Sequence, residues 1–186
     1  MTGRRATAFL VVALVSLVAV SRLGFYRVRL LASRLLTTLP DWAVPHHLSV
    51  LPPPPAEYVG VWDVPPAEAR TRLHSAFGFR EVIRAYFHSY ERDGHLVHEV
   101  GSYVFRPAGI TGRHQLHVRL FPTSEGRTEL WCHWERNPNR SPIAHLERVG
   151  YDPTEGERRL RDLLADEPLS VPDETERPSV VDSYQP

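Results

Sequence analysis

From Arg113 to Glu135 the chain alternates apolar and polar positions in two runs, RHQLHVRLFPT and RTELWCHWE, on either side of Ser124-Glu125-Gly126. A period of two predicts two strands, and a three-residue loop of Ser124, Glu125 and Gly126 joins them as a hairpin with Thr123 opposite Arg127. The register sets Leu116 opposite Trp134, Val118 opposite Cys132 and Leu120 opposite Leu130, so one face reads as core. The other face pairs Gln115 with Glu135, His117 with His133 and Arg119 with Trp131. It reads as too polar to bury and too aromatic for an ordinary wet surface.

Upstream, Tyr58 to Val64 reads as a short strand, and Pro65-Pro66 opens a helix with Ala69, Leu73, Ala76 and Phe77 on one face and Gly78 at its end. Glu81 to Tyr90 and His95 to Phe105 flank Asp93-Gly94, which predicts a type I′ hairpin with Arg92 opposite His95. Its core face would pair Ile83, Ala85 and Phe87 with Val104, Ser102 and Val100. Tyr86, His88 and Tyr90 would face Gly101, Glu99 and Val97 on the other side. Arg106 to Gly112 reads as a loop. Downstream, Ser141-Pro142 starts a short helix through Glu147 with Ile143 and Leu146 inward. Asp152 then caps a second helix, with Pro153 at its first position, Glu155 at its third and Leu160, Leu163 and Leu164 as its buried stripe. The pattern predicts an α+β fold: a two-layer sandwich of a mainly antiparallel five-stranded sheet with amphipathic helices on one face.

Ala6 to Val20 is an uncharged run after Arg4 and Arg5, short of the about 20 residues of a typical membrane span. Ala19-Val20-Ser21 would suit a secretory cleavage site. An uncleaved anchor is preferred, because apolar residues continue to Leu31 while Arg22, Arg27 and Arg29 can reach the interface. Residues 1–40 are therefore read as a membrane anchor, embedded through 6–21, with a juxtamembrane helix closed by Pro40. Flanking arginines lean toward a cytoplasmic C-terminal side of a single-pass cell-membrane protein. Residues 41–56, with Pro52 to Pro55, read as a stiff linker, 57–165 as the α+β domain, and 166–186 as a disordered acidic tail.

The formal net charge is zero, yet all arginines before residue 41 lack an acidic counterpart. The remainder has no basic stripe, which argues against nucleic-acid binding. The lone Cys132 excludes an intrachain disulfide and falls on the core face. No Gly-rich phosphate loop, GxSxG, HExxH or CxxC is present. The adjacent His46 and His47 cannot close a coordination sphere alone.

The one constellation suited to a metal is His117, His133, Glu135 and His145. A strand sets His133 and Glu135 two apart on one face, the hairpin brings His117 opposite, and imidazole with carboxylate suits zinc or iron. His88 with Glu99 could form an acid-base pair or a plain cross-strand pair. Tyr86, Tyr90, Tyr103 and Trp131 could wall a site for an apolar or aromatic ligand. Two functions follow. One is a membrane-tethered binding or interaction module without catalytic activity or cofactor, its partner an unknown protein or small ligand. The other is a metal-dependent protein, possibly a hydrolase, using the His/Glu set on the exposed sheet face.

At LHVRLFPTSEGRTELWCHWERNPNRSPIAHL and the following YDPTEG and LRDLL, the chain resembles an uncharacterised family of membrane-anchored haloarchaeal proteins. These share a strand-turn-strand, an HWE-x-N-like strand end and a Pro-x-x-His segment, over about residues 57–165 here. The resemblance implies a membrane-anchored protein and no assigned activity.

Overall fold

The computed structural model describes residues 25–40, 43–44, 50–82 and 87–170. The expected anchor at 6–21, His46-His47, Tyr86 and the tail beyond Ser170 lie outside them. Among the described residues, no helix is long and apolar enough to cross a membrane.

The fold is α+β. Its larger sheet has six strands: β2 (Tyr58–Trp62), β3 (Arg80–Glu81), β6 (Gly101–Phe105), β7 (His114–Pro122), β8 (Thr128–Arg136) and β9 (Leu169–Ser170). Their order is β3-β6-β7-β8-β2-β9, with every neighbouring pair antiparallel. A second sheet, β1-β4-β5, is built from β1 (Val50–Leu51), β4 (Phe87–Arg92) and β5 (His95–His98), with β1 parallel to β4. The helices are α1 (Phe25–Leu36), α2 (Pro66–Ser75), α3 (Pro142–Leu146) and α4 (Pro153–Leu163).

The β7/β8 hairpin pairs as the alternation predicts, from Gln115 with Glu135 to Leu120 with Leu130. Thr123 N–H donates to the Arg127 carbonyl at 2.9 Å, which closes the loop. On one face Leu116, Val118, Leu120, Leu130 and Cys132 are fully buried under Ala69 and Leu73 of α2 and Leu160 and Leu164 at α4. Pro153 and the Asp152 side chain, which accepts from Glu155 N–H at 2.9 Å, start α4.

The five-stranded sheet with one open face is not what forms. The second face of the hairpin is buried too: Phe121 and Trp131 are fully inaccessible, and Tyr58 nearly so. The small sheet covers them, with the Tyr90 ring 5.3 Å from Phe121 and 5.6 Å from Trp131. The physical reason is the aromatic content of that face, whose burial outweighs the cost of enclosing its polar neighbours. The small sheet and helices α2 and α4 thus cover opposite faces of the large sheet, and α1 packs on the small sheet.

The Asp93-Gly94 turn forms with φ of 50° and 76°, the positive pair that a type I′ turn requires, and Tyr90 faces Val97. The expected long hairpin, however, ends at Glu99. There Val100 N–H donates to the Leu120 carbonyl at 2.8 Å and carries the chain into the large sheet. Arg80 pairs with Val104, and Glu81 with Tyr103. In consequence Tyr103 and Phe105 pack with the helix-covered core and Ser102 turns to the opposite face beside His117, the reverse of the expected parity, whereas Val100 packs against the core as expected.

The stretch read as a linker contributes β1, the buried Pro53 and the first two residues of a 3-10 turn at Pro55–Glu57, and Glu57, just beyond that stretch, is 1% exposed. Within the stretch read as a tail, Leu169–Ser170 pairs with β2. On α3, Ile143 and Leu146 point outward, 69% and 72% exposed. His145 faces in instead, held by Glu135 and the Arg136 carbonyl, and a turn this short cannot present both sides to the core.

Candidate metal centre

Because β7 and β8 are antiparallel and in register, His117 lies directly across from His133, with ring centroids 5.0 Å apart. Glu135, two residues along β8, shares their face. The His133 Nε2 is 3.1 Å from Glu135 Oε2, and the His117 Nδ1 is 3.6 Å from Glu135 Oε1. One donor atom from each of the three residues falls within 4.8 Å of the others, and all three residues are buried. The set anticipated on an exposed face is therefore buried, beneath Glu57, Tyr151 and His145.

The outward nitrogens of both rings are held. His117 Nε2 is 2.8 Å from Ser102 Oγ, and His133 Nδ1 is 2.9 Å from Glu57 Oε1. Glu57 also accepts from the Tyr151 hydroxyl at 2.6 Å and from the Arg119 guanidinium. Gln115 donates to Glu135 Oε1 at 2.6 Å and accepts from Arg106 at 2.9 Å. His145 differs from the expected fourth ligand. Its Nδ1 lies 3.1 Å from Glu135 Oε2 and 3.0 Å from the Arg136 carbonyl, so it steadies Glu135 and stands outside the convergent set.

Charge in this layer is arranged pairwise. Burial opposes ionisation of Glu57, but Arg119 and His133 hold its carboxyl far below the ordinary range. Burial likewise opposes a charged Glu135, and hydrogen bonds from His133 and His145 prevail over it. For His133, burial favours the neutral ring, yet the Glu57 carboxylate and hydrogen bonds to Glu135 and Glu57 raise its pKa above the usual value. His117 is held well below its usual value by burial and then by the Arg119 charge. A neutral His117 keeps a lone pair available.

No family model, curated protein or solved structure matches the chain.

The other candidates separate. His88 Nδ1 lies 3.3 Å from Glu99 Oε2, and Arg29 of α1 approaches the same carboxylate at 3.4 Å, so the pair belongs to a buried ion cluster. Tyr90 and Trp131 share one aromatic cluster, whereas Tyr103 lies in the core on the opposite face. They do not form one wall. Cys132 is fully buried, and burial pushes its thiol well above the usual pKa, which leaves it inert.

Glu57, Ser102 and Tyr151 are site residues that sequence spacing does not reveal. Glu57 meets Arg119 across 62 positions and Tyr151 across 94, and only the packed layers bring them together.

Proposed function

We propose that this chain is a membrane-tethered metal-binding protein in which His117, His133 and Glu135 hold one divalent ion of the zinc or iron class. The observation that carries the reading is the convergence of three donors whose imidazoles are each gripped at the far nitrogen, by Ser102 and by Glu57. Metal-ligating histidines characteristically have such a partner, which fixes the ring and its tautomer. A tetrahedral ion with bonds of about 2.0–2.2 Å separates its ligand atoms by roughly 3.2–3.6 Å. With one atom from each residue the three donors lie within 4.8 Å of one another, so a small inward movement of the side chains reaches that spacing. Two imidazoles and one carboxylate suit zinc and iron. The tether is the apolar run at residues 6–21, placing the protein at the cell membrane.

A second reading is favoured by a different observation. The carboxylates of Glu57 and Glu135 are bonded by Tyr151, Arg119, His133, His145 and Gln115, all within the protein. A cluster closed in this way can serve as scaffold for a binding module without a metal. Elemental analysis of the full chain, grown with ample zinc and iron and purified in detergent, separates the two. About one ion per chain is expected, with most of it lost in His117→Gln and Glu135→Gln variants that retain the parent's circular dichroism. A metal-free parent overturns the metal reading and leaves the binding module.

A further inference from the structure

Helix α1 buries an arginine and leaves two leucines outside. The side packed on the small sheet carries Arg29 and Ser33, 7% and 2% exposed. Arg29 reaches Glu99 and stacks over the Phe87 ring at 4.7 Å, and Ser33 Oγ is 2.9 Å from His98 Nδ1. The outward side carries Leu31 and Leu35, 54% and 62% exposed, with exposed Arg27 and Arg34 beside them; Leu39, 41% exposed, follows the helix. No acidic residue occurs in Phe25–Leu36. A soluble helix ordinarily buries its leucines and keeps charge outside; this one buries Arg29 and exposes Leu31 and Leu35, with Leu30 and Leu36 half-buried.

The sequence indicates what covers that face. The uncharged run from Ala6 ends at Val20, five positions before Phe25. An extended chain spans at most about 3.6 Å per residue, so α1 begins within roughly 18 Å of the end of that run. Arginine beside leucine, without acids, is the composition of a helix lying at an anionic lipid surface. Arg34 and Leu30 of α1 also border a cleft of about 270 Å³ with Arg92, His95 and Leu96, and Leu96 is itself 48% exposed.

We propose that α1 lies in the headgroup layer of a bilayer, with Leu31, Leu35 and Leu39 at the acyl boundary and Arg27 and Arg34 on lipid phosphates. The domain is thereby held flat against the membrane. This rests on the membrane tether proposed above and is independent of the metal. The test uses the full chain reconstituted into vesicles of phosphatidylcholine and phosphatidylglycerol. Leu31→Cys, Leu35→Cys and, as reference on α4, Thr154→Cys variants are labelled with a polarity-sensitive fluorophore under native conditions, which leave the buried Cys132 unlabelled. The labels at 31 and 35 are expected to emit at shorter wavelength than the label at 154. Lipids bearing a nitroxide near the headgroup should quench those two and spare the reference. Emission at 31 and 35 matching the reference, without quenching, overturns the proposal. So does a blue shift that lipid nitroxides leave unquenched and that grows with protein density, which assigns the face to a second copy. A chain that fails to float with the vesicles removes the tether as well, whatever its metal content.

Discussion

Gly156 sits on α4 where the helix crosses β8, and a Cβ built on it would lie 2.6 Å from His133 Cα and 2.7 Å from Trp134 N. Both are backbone atoms and cannot rotate aside. Glycine to alanine in a helix interior ordinarily stabilises by about 1 kcal/mol. Here Gly156→Ala is expected to destabilise by roughly 1–3 kcal/mol, as overpacking does, which denaturant unfolding would show. A stabilised variant would disprove the close contact. The same residue scale explains what was legible in the site. His117, His133 and Glu135 follow from strand parity and one turn, both local. Glu57 bonds Tyr151 and His133 only through packing between distant segments, and nothing in PAEYV or GYDPT marks either residue.

Helices α3 and α4 differ in what holds them. α4 buries Leu160 completely, so Leu160→Ala is expected to cost about 2–5 kcal/mol. Ile143→Ala and Leu146→Ala on α3 are each expected to stay within about 0.5 kcal/mol, since both side chains are largely in solvent. Unfolding of the three variants side by side checks this contrast, which an inward-facing α3 would erase. Elements with strong local signals were legible: the Asp93-Gly94 turn, the Asp152 cap and the β7/β8 register. The parity of β6 was not, because the chain leaves β4 after Glu99 and Val100 bonds Leu120, a partner 20 positions away. The two residues of β1 carry too little pattern to announce a strand.

The molecule as a whole stores ionised groups between its layers, and this sets its response to acid. Burial works against an ionised Glu99, but Arg29 and then His88 hold its pKa below the ordinary 4.5. Burial, reinforced by Arg119, holds His88 below the ordinary 6.5 against the pull of Glu99 and Glu57. A depressed carboxyl contributes stability above its unfolded pKa and loses it as pH falls through the folded value. A depressed histidine is neutral in the fold, so the unfolded chain takes up its proton first and stability drops below about the ordinary value. Both act in one direction. Thermal unfolding is expected to move to lower temperature as pH falls below 6.5, more steeply below 4.5, with a shallower acid limb in Glu99→Gln. A midpoint that rises on acidification would refute it.

The edges of the two sheets bear on how copies of the molecule coexist. Among the described residues, the six-stranded sheet ends in β3 and β9, each two residues long, and the small sheet ends in the two-residue β1 and in β5. Ser170 and Leu169 occupy the backbone of Val61 and Trp62, which would otherwise be offered along an apolar strand. Edges this short give an approaching strand almost no ladder to extend. Molecules crowded together can therefore collide at these edges without zipping into cross-chain sheets.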